Sequence, residues 1–376
     1  MKVLVVSGIW PPDVGGPASH APAVASFLHE RGHEVEVVVT ADGPPEPCPY
    51  AVCWTSRRLP KGVRHLHSLV LIARHAYRAD VVYTTGMFAR SGIAARLTRT
   101  PYVVKLTGDP AFERLRARGA VGGDVESFQG GGGGLGGRAL RWLRDGTLRR
   151  AAHVYTPSTY LRDLAIRWGV EAGRVSVLPN PAPDSVPAES RDALRQRLGL
   201  DGTVLAFAGR LTAQKSLDVL LRAVASCEEV QLVIAGTGEE LPLVEQLVAQ
   251  LGLEPRVSLL GALPRARVLD LFAAADAAVL SSSWENFPHS VVEALAVGTP
   301  VIATAAGGVP EVVRDGENGL LVPVGDVAAF AAAIHRFAAD PALRERLRAN
   351  AARSVEPYAP ARLFAGLEAT LVEAGA

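Results

Sequence analysis

Two α/β domains, each a parallel sheet with helices on both faces, are what this chain of 376 residues predicts. Three observations point there. The length exceeds what one ordinary core organises. Short apolar, strand-like runs alternate with helical patterns in two successive series. Between the series lies LPNPAPDSVPAES, residues 178–190, whose four prolines suit a linker rather than an element interior.

The first series opens with KVLVVS, a short apolar strand. A Pro/Gly loop follows, then APAVASFLHERGH, a helical pattern closed by Gly32. EVEVVVT is the next strand, SLVLIARHAYRA a helix, and DVVYTTG and YVVKLTG are further strands. QGGGGGLGG, 129–137, reads as a floppy surface loop, with a mobile flap on the acceptor side as the alternative; without a Lys-Ser/Thr ending it is no Walker A loop. The second series starts near residue 203. TVLAFAG, VQLVIAG, RVSLLG, AAVLSS and PVIATAAG read as strands; KSLDVLLRAVAS, ELPLVEQLVAQLG and SVVEALAVG read as helices.

Composition narrows the class. Hydrophobic residues make up 48% and charged residues 20%, which describes a packed chain rather than a disordered one. Cys48, Cys53 and Cys227 are odd in number and form no CxxC or Cys/His cluster, so a disulfide scaffold and structural zinc are not expected, and a reducing compartment fits. The N-terminus lacks the apolar region and cleavage site of a signal peptide, and no apolar stretch is long enough to span a membrane. Aromatic residues total 6%, and no basic aromatic module points to nucleic acid. The net charge of +1 is uneven. Residues 1–180 carry 23 Lys+Arg against 14 Asp+Glu, and residues 181–376 carry 16 against 24. The first half therefore suits an anionic partner, or the two halves attract each other.

Candidate chemistry lies at strand ends, because ligands of open α/β sheets bind outside the carboxyl ends of the strands. In SSSWENFPHSVVEALAVG, Glu285 lies in a strand-end loop and Glu293 on the following helix, one turn beyond His289. Carboxylates in so apolar a stretch need partners, and sugar or ribose hydroxyls are suitable donors; a cap and a solvent-side residue are the alternative. In AFAGRLTAQKSLDVLL, Gly209 and Arg210 end a strand and Lys215 precedes a helix, which suits a diphosphate. Gly236 and Gly238 in VIAGTGEE, and Gly307 and Gly308 further on, permit close backbone approach. Near the N-terminus, SGIWPPDVGGPASH is not GxGxxG, yet Gly15 and Gly16 stand before a helix, where N–H groups meet phosphate. In VVKLTGDPAFE, Asp109 before Pro110 reads either as an N-cap or as a carboxylate orienting an acceptor hydroxyl, with Lys105 nearby to keep it ionised.

E285-N-F-P-H-S-V-V-E293, AGRLTAQKSLDVL, the N-terminal glycine pair and LVPVGD together resemble the retaining glycosyltransferases of family 4 over nearly the whole chain, most strongly over 203–325. The resemblance implies a GT-B fold, two Rossmann-like domains facing across a cleft. The expected division is 1–182 (acceptor side), 183–355 (nucleotide-sugar donor side) and a C-terminal helix, 356–376, free to pack back on the first domain. It further implies that Glu293 holds the donor ribose and that Glu285 lies near the donor sugar hydroxyls. Asn286 and Phe287 would contribute backbone contacts to sugar and phosphate. Arg210 and Lys215 would bind the diphosphate, and Gly16 would approach it from the first domain. Many members carry a histidine where this chain reads KLTGD; Asp109 is the candidate substitute.

The expected activity is transfer of a sugar, with retention, from a nucleoside-diphosphate sugar to a hydroxyl of a glycan, a lipid-linked acceptor or a small molecule. Arg210, Lys215 and helix-end N–H groups would stabilise the leaving diphosphate without a metal or cofactor. A glycosidase pair would not need the phosphate loop. A nucleotide-sugar epimerase on the same fold and a non-catalytic nucleotide-sugar binder are the alternatives. A cytoplasmic location is expected. Arg57, Arg58, Lys61, Arg64, Arg74 and Arg78 beside apolar residues leave peripheral contact at the inner membrane face as an open option.

Overall fold

The computed structural model describes residues 1–11, 13, 16–121 and 125–376, apart from the side chains of residues 16–19, 126 and 127. The chain forms two compact units: Met1–Asn180 together with Ala361–Ala376, and Pro181–Pro360.

The first unit holds seven parallel strands: β1 (Lys2–Ser7), β2 (Glu34–Ala41), β3 (Ala51–Ser56), β4 (Val81–Thr84), β5 (Tyr102–Lys105), β6 (His153–Thr156) and β7 (Val175–Val177). Their order is β3-β2-β1-β4-β5-β6-β7. β1 and β4 are apolar almost continuously and buried along their length, as strands covered on both faces must be. Val5, Val37, Tyr83 and Val103 of the sheet pack with Val24 and Leu28 of the helix Gly16–Glu30. Phe364, Leu367 and Leu371 of the final helix, Pro360–Gly375, join this same core.

The second unit holds six parallel strands: β8 (Thr203–Ala208), β9 (Val230–Ala235), β10 (Val257–Gly261), β11 (Ala277–Leu280), β12 (Val301–Thr304) and β13 (Gly319–Val322). Their order is β10-β9-β8-β11-β12-β13. The numbering reverses between β8 and β11, whose pairing runs Leu205 to Ala277. That reversal leaves a crevice at the carboxyl end of the sheet, because the connections leaving the two strands go to opposite sides.

Three local expectations change. The glycine run is folded: the helix Gly134–Leu148 begins inside it. Gly133, at φ +86°, supports the entry turn, and a Cβ on Gly137 would lie 2.6 Å from the Gly132 carbonyl oxygen. The helix Lys61–Ala76 starts ahead of the apolar run at Ser68, because its first turns are basic and exposed. β3, β6, β7 and β13 are strands the sequence pattern did not mark. Among the described residues, no helix is long and apolar enough to cross a membrane.

Candidate functional site

The loops after β8, β11 and β12 meet at the crevice of the second unit. They are tied mainly through backbone groups. The Ser283 N–H donates to Gln214 O at 2.8 Å, Gln214 Nε2 donates to Trp284 O at 2.6 Å, and Ser281 Oγ donates to Lys215 O at 2.7 Å. The third loop is held by Gly308, whose N–H donates to Glu285 O at 3.0 Å. This approach needs glycine beside it: Gly307 sits at φ +50°, and a Cβ there would lie 1.9 Å from Glu285 O.

The clamp brings two of the expected residues together. Lys215 Nζ forms an ion pair with Glu285 Oε1, and Ser282 Oγ donates to the same oxygen at 2.7 Å. Both donors use Oε1, so Oε2 has no hydrogen-bond partner among the described residues. The Glu285 side chain is 8% exposed and that of Lys215 18%, so the pair is largely desolvated yet still reachable. A desolvated carboxylate held by a cation and a hydroxyl, with one oxygen to spare, is suited to accept a ligand hydroxyl.

Arg210 follows β8, is exposed and forms no ion pair among the described residues. Gly209 donates its N–H to Ala235 O at 3.0 Å, fastening this loop to the end of β9. Gly236 and Gly238 serve the same fastening. A Cβ at Gly236 would lie 1.9 Å from Gly209 O, and one at Gly238 2.1 Å from Leu211 O. The close approach these two glycines permit is to a neighbouring loop, so the fold alone accounts for their identity.

Glu293 lies on the helix His289–Ala296 and pairs with Arg265 Nε at 2.9 Å, away from Lys215. Burial pushes its carboxyl up, against the opposing pull of Arg265. Asn286 is half-buried beside Glu285. Phe287 is buried edge-on to His289, at 5.8 Å between ring centres, and to Tyr358 at 5.9 Å.

The first unit corrects one assignment. Asp109 is fully buried, and each carboxylate oxygen is occupied. Oδ1 accepts from the N–H groups of Ala111, at 2.9 Å, and Phe112, at 3.3 Å, capping the helix Pro110–Arg116. Oδ2 accepts from Arg144 Nη1 at 2.6 Å and Gln129 Nε2 at 3.0 Å. Arg144 also lies 3.7 Å from the centre of the Trp168 ring, and Trp168 Nε1 donates to Gln129. The cap reading therefore holds, and in this structure both carboxylate oxygens are taken up by protein donors. Its cation is Arg144, not Lys105. The Lys105 ammonium is itself fully buried, donates to Leu178 O, and is pushed down by burial to about 7. Gly16 opens the first helix, whereas Gly15 lies outside the described residues.

Sequence reasoning missed Ser282, Gln214, Arg265 and Arg144. Only Ser282 left a signal, as part of a polar triplet after an apolar strand. The others reach their partners from distant positions.

The sequence matches two family models, glycosyl transferases group 1 over residues 190–354 and a glycosyl transferase 4-like domain over residues 15–181. The D-inositol 3-phosphate glycosyltransferase of Xylanimonas cellulosilytica is 30% identical over 382 residues, covering 90% of this chain and 87% of that protein. The chain belongs to glycosyltransferase family 4. A protein of the same name from Streptomyces avermitilis is 38% identical over 213 residues; that match covers 52% of this chain and 46% of the relative, about half its length. In fold, Anabaena HepE in complex with UDP gives a TM-score of 0.81 at 22% identity, over 99% of this chain and 100% of that one. The two Rossmann-like units of this glycosyltransferase are those of the GT-B fold.

Proposed function

We propose that this glycosyltransferase moves a sugar from a nucleoside-diphosphate sugar to an acceptor hydroxyl, with retention of the anomeric configuration and without a metal. The observation that carries the reading is the Lys215–Glu285 pair at the switch point of the second unit's sheet. In this reading Glu285 Oε2 accepts a hydroxyl of the donor sugar. Lys215 and the exposed Arg210 face the diphosphate. Glu293 holds the ribose, exchanging Arg265 for hydroxyl donors. Asn286, Phe287, Gly209, Gly236 and Gly16 contribute backbone contacts.

The bond between the anomeric carbon and the diphosphate oxygen breaks, and its electron pair stays on that oxygen. The two cations stabilise the charge as it develops. The acceptor oxygen bonds to the same face of the anomeric carbon, and its proton passes to the departing phosphate oxygen. No carboxylate base is required, which agrees with the burial of Asp109. UDP in the HepE structure makes uracil the first base to try.

A peripheral membrane contact and a cytoplasmic location belong to the same proposal. On the helix Lys61–Ala76, Val63 is 54%, Leu66 64% and Val70 57% exposed, one turn or two apart beside basic residues. Sedimentation with anionic vesicles, reduced in Leu66→Asp, tests the contact.

A thermal-shift screen of UDP-, GDP-, ADP- and dTDP-sugars identifies the donor, since selective binding stabilises the folded state. NMR of the initial product, formed in excess EDTA, then decides the chemistry. Retention is expected; inversion, or loss of transfer restored only by a divalent ion, contradicts the proposal.

A further inference from the structure

Arg57 follows β3 at the edge of the first sheet, and its side chain is turned inward, 23% exposed. Nη1 donates to Asp13 Oδ1 at 2.9 Å and to Asp42 Oδ2 at 3.1 Å. Nη2 donates to Asp13 Oδ2, to Thr40 O at 2.9 Å and to Gly8 O at 3.4 Å. The two nitrogens thus grip both oxygens of Asp13, a fork that a lysine ammonium cannot make. One side chain at the sheet's edge reaches across the end of β2 to the chain beyond β1.

What it grips is the connection from β1 to the helix Gly16–Glu30. Asp13 Oδ2 also accepts the Trp10 N–H at 3.1 Å, and the Asp13 N–H donates to Trp10 O at 3.0 Å. Trp10 is anchored in the core of the unit, 2% exposed. Gly8 is fixed from two further sides. Thr40 Oγ1 donates to its carbonyl oxygen at 2.6 Å, and a Cβ on Gly86, in the loop after β4, would lie 2.6 Å from its nitrogen. β1 and β4 are neighbours in the sheet but not consecutive, so the connection leaves at the switch point of this sheet, where α/β units take ligands. Gly16 opens the helix three positions after Asp13.

Gly8, Trp10 and Asp13 belong to no strand or helix, so no backbone ladder sets their place. The Arg57 fork supplies that constraint. Its hydrogen bond holds the Asp13 carboxyl below its ordinary value, against partial burial, so the pair stays ionised at neutral pH. The Asp13 side chain is 24% exposed, and a pair this wet adds little to global stability. Its contribution is geometry.

We infer that Arg57 is a positioning residue for the donor: through Asp13 it fixes the connection that carries Gly16 to the diphosphate. This rests on the transferase reading, in which Gly16 contributes a backbone contact there. Arg57 itself touches no substrate.

The test uses the full chain and four variants. Arg57→Gln removes charge and fork, Arg57→Lys removes the fork alone, and Asp13→Asn removes the anion. Arg58→Gln, at the exposed next position, is the control for lost charge. Calorimetry compares UDP, GDP, ADP and dTDP with the matching nucleosides, and hydrogen exchange over residues 8–20 is read without ligand. In the first three variants the preferred nucleoside diphosphate should bind about fivefold or more weakly, while its nucleoside binds as in the parent. Exchange over 8–20 should quicken, and the unfolding temperature should stay within a few degrees of the parent. Arg58→Gln should match the parent throughout. A merely structural role would change both ligands together or neither. Unaltered diphosphate affinity in the three variants, equal loss for the nucleoside, restoration by Arg57→Lys, or unaltered exchange overturns the proposal. Should Arg57→Gln fail to fold, Arg57→Lys and Asp13→Asn carry the same comparison. A parent that binds none of the four nucleoside diphosphates counts against the transferase reading, and exchange then decides by itself whether Arg57 holds the connection.

Discussion

Asp109 shows what a single carboxylate does when sequence leaves two roles open. The D-P pair after YVVKLTG signals a cap, and the cap is present. The cation that completes the site, Arg144, comes from 35 positions downstream, a pairing no local pattern announces. Asp109→Asn keeps a capping oxygen but takes from the buried Arg144 guanidinium one of its two counter-charges, leaving only Asp145. Breaking a buried pair in this way costs about 3–5 kcal/mol, so the variant should unfold at a clearly lower temperature, as scanning calorimetry would show. An unaltered unfolding temperature combined with lost transfer would return Asp109 to the acceptor.

Lys105, also fully buried, makes stability depend on pH. Its folded value of about 7 lies below the ordinary 10.5, so between these the unfolded chain binds a proton that the folded chain does not. The penalty is complete below pH 7 and is relieved as pH rises towards 10.5. Stability should therefore rise across that window, by at most about 1.4 kcal/mol per pH unit from this group. In Lys105→Met the slope of stability against pH between 7 and 10 should fall; an identical slope would mean Lys105 keeps its proton when folded.

At the scale of elements, the strand-end loops were legible where residue type broke the pattern. Lys215, just before an apolar helix, and Glu285, in the loop after an apolar strand, stand out as charges, and they do meet. The glycines were harder to read. Gly236 and Gly238 carried the expectation of a ligand, but the structure uses their missing side chains to bring two loops together. The run at 129–137 looked structureless by composition, yet its glycines turn the chain into a helix. Arg265 stands beside Glu293 because of the sheet's topology, which no spacing in the sequence encodes. Gly307 gives the sharpest test of the loop clamp. Gly307→Ala places a methyl against Glu285 O in a left-handed backbone, so the loop carrying Glu285 must shift. Transfer should fall by at least about tenfold, since small displacements of a positioned group are costly. The thermal midpoint should fall by only a few degrees, as expected for a backbone clash in a surface loop. Normal kinetics in the folded variant would show that the clamp does not position Glu285.

At the scale of the whole molecule, the two-series pattern of strands and helices is visible in sequence because the central strands, such as β1, β4, β8 and β11, are short apolar runs. What pattern alone did not reveal is how the last helix is used: Leu367 and Leu371 complete the core of the first unit although they follow the second in sequence. The asymmetry of charge was legible too, though not that one of the first unit's cations, Arg57, is turned inward onto Asp13. In the second unit the carboxyl end of the sheet carries the Lys215–Glu285 pair. The central claim is that sugar transfer runs through Glu285 and its Lys215 partner. Steady-state kinetics of Glu285→Gln with the identified nucleotide sugar test it most directly, because the amide keeps the size of the side chain and its contact with Ser282. The account predicts that kcat/KM falls by about a hundredfold or more while the unfolding temperature stays within a few degrees of the parent. Parent-like turnover by the folded Glu285→Gln protein would contradict it.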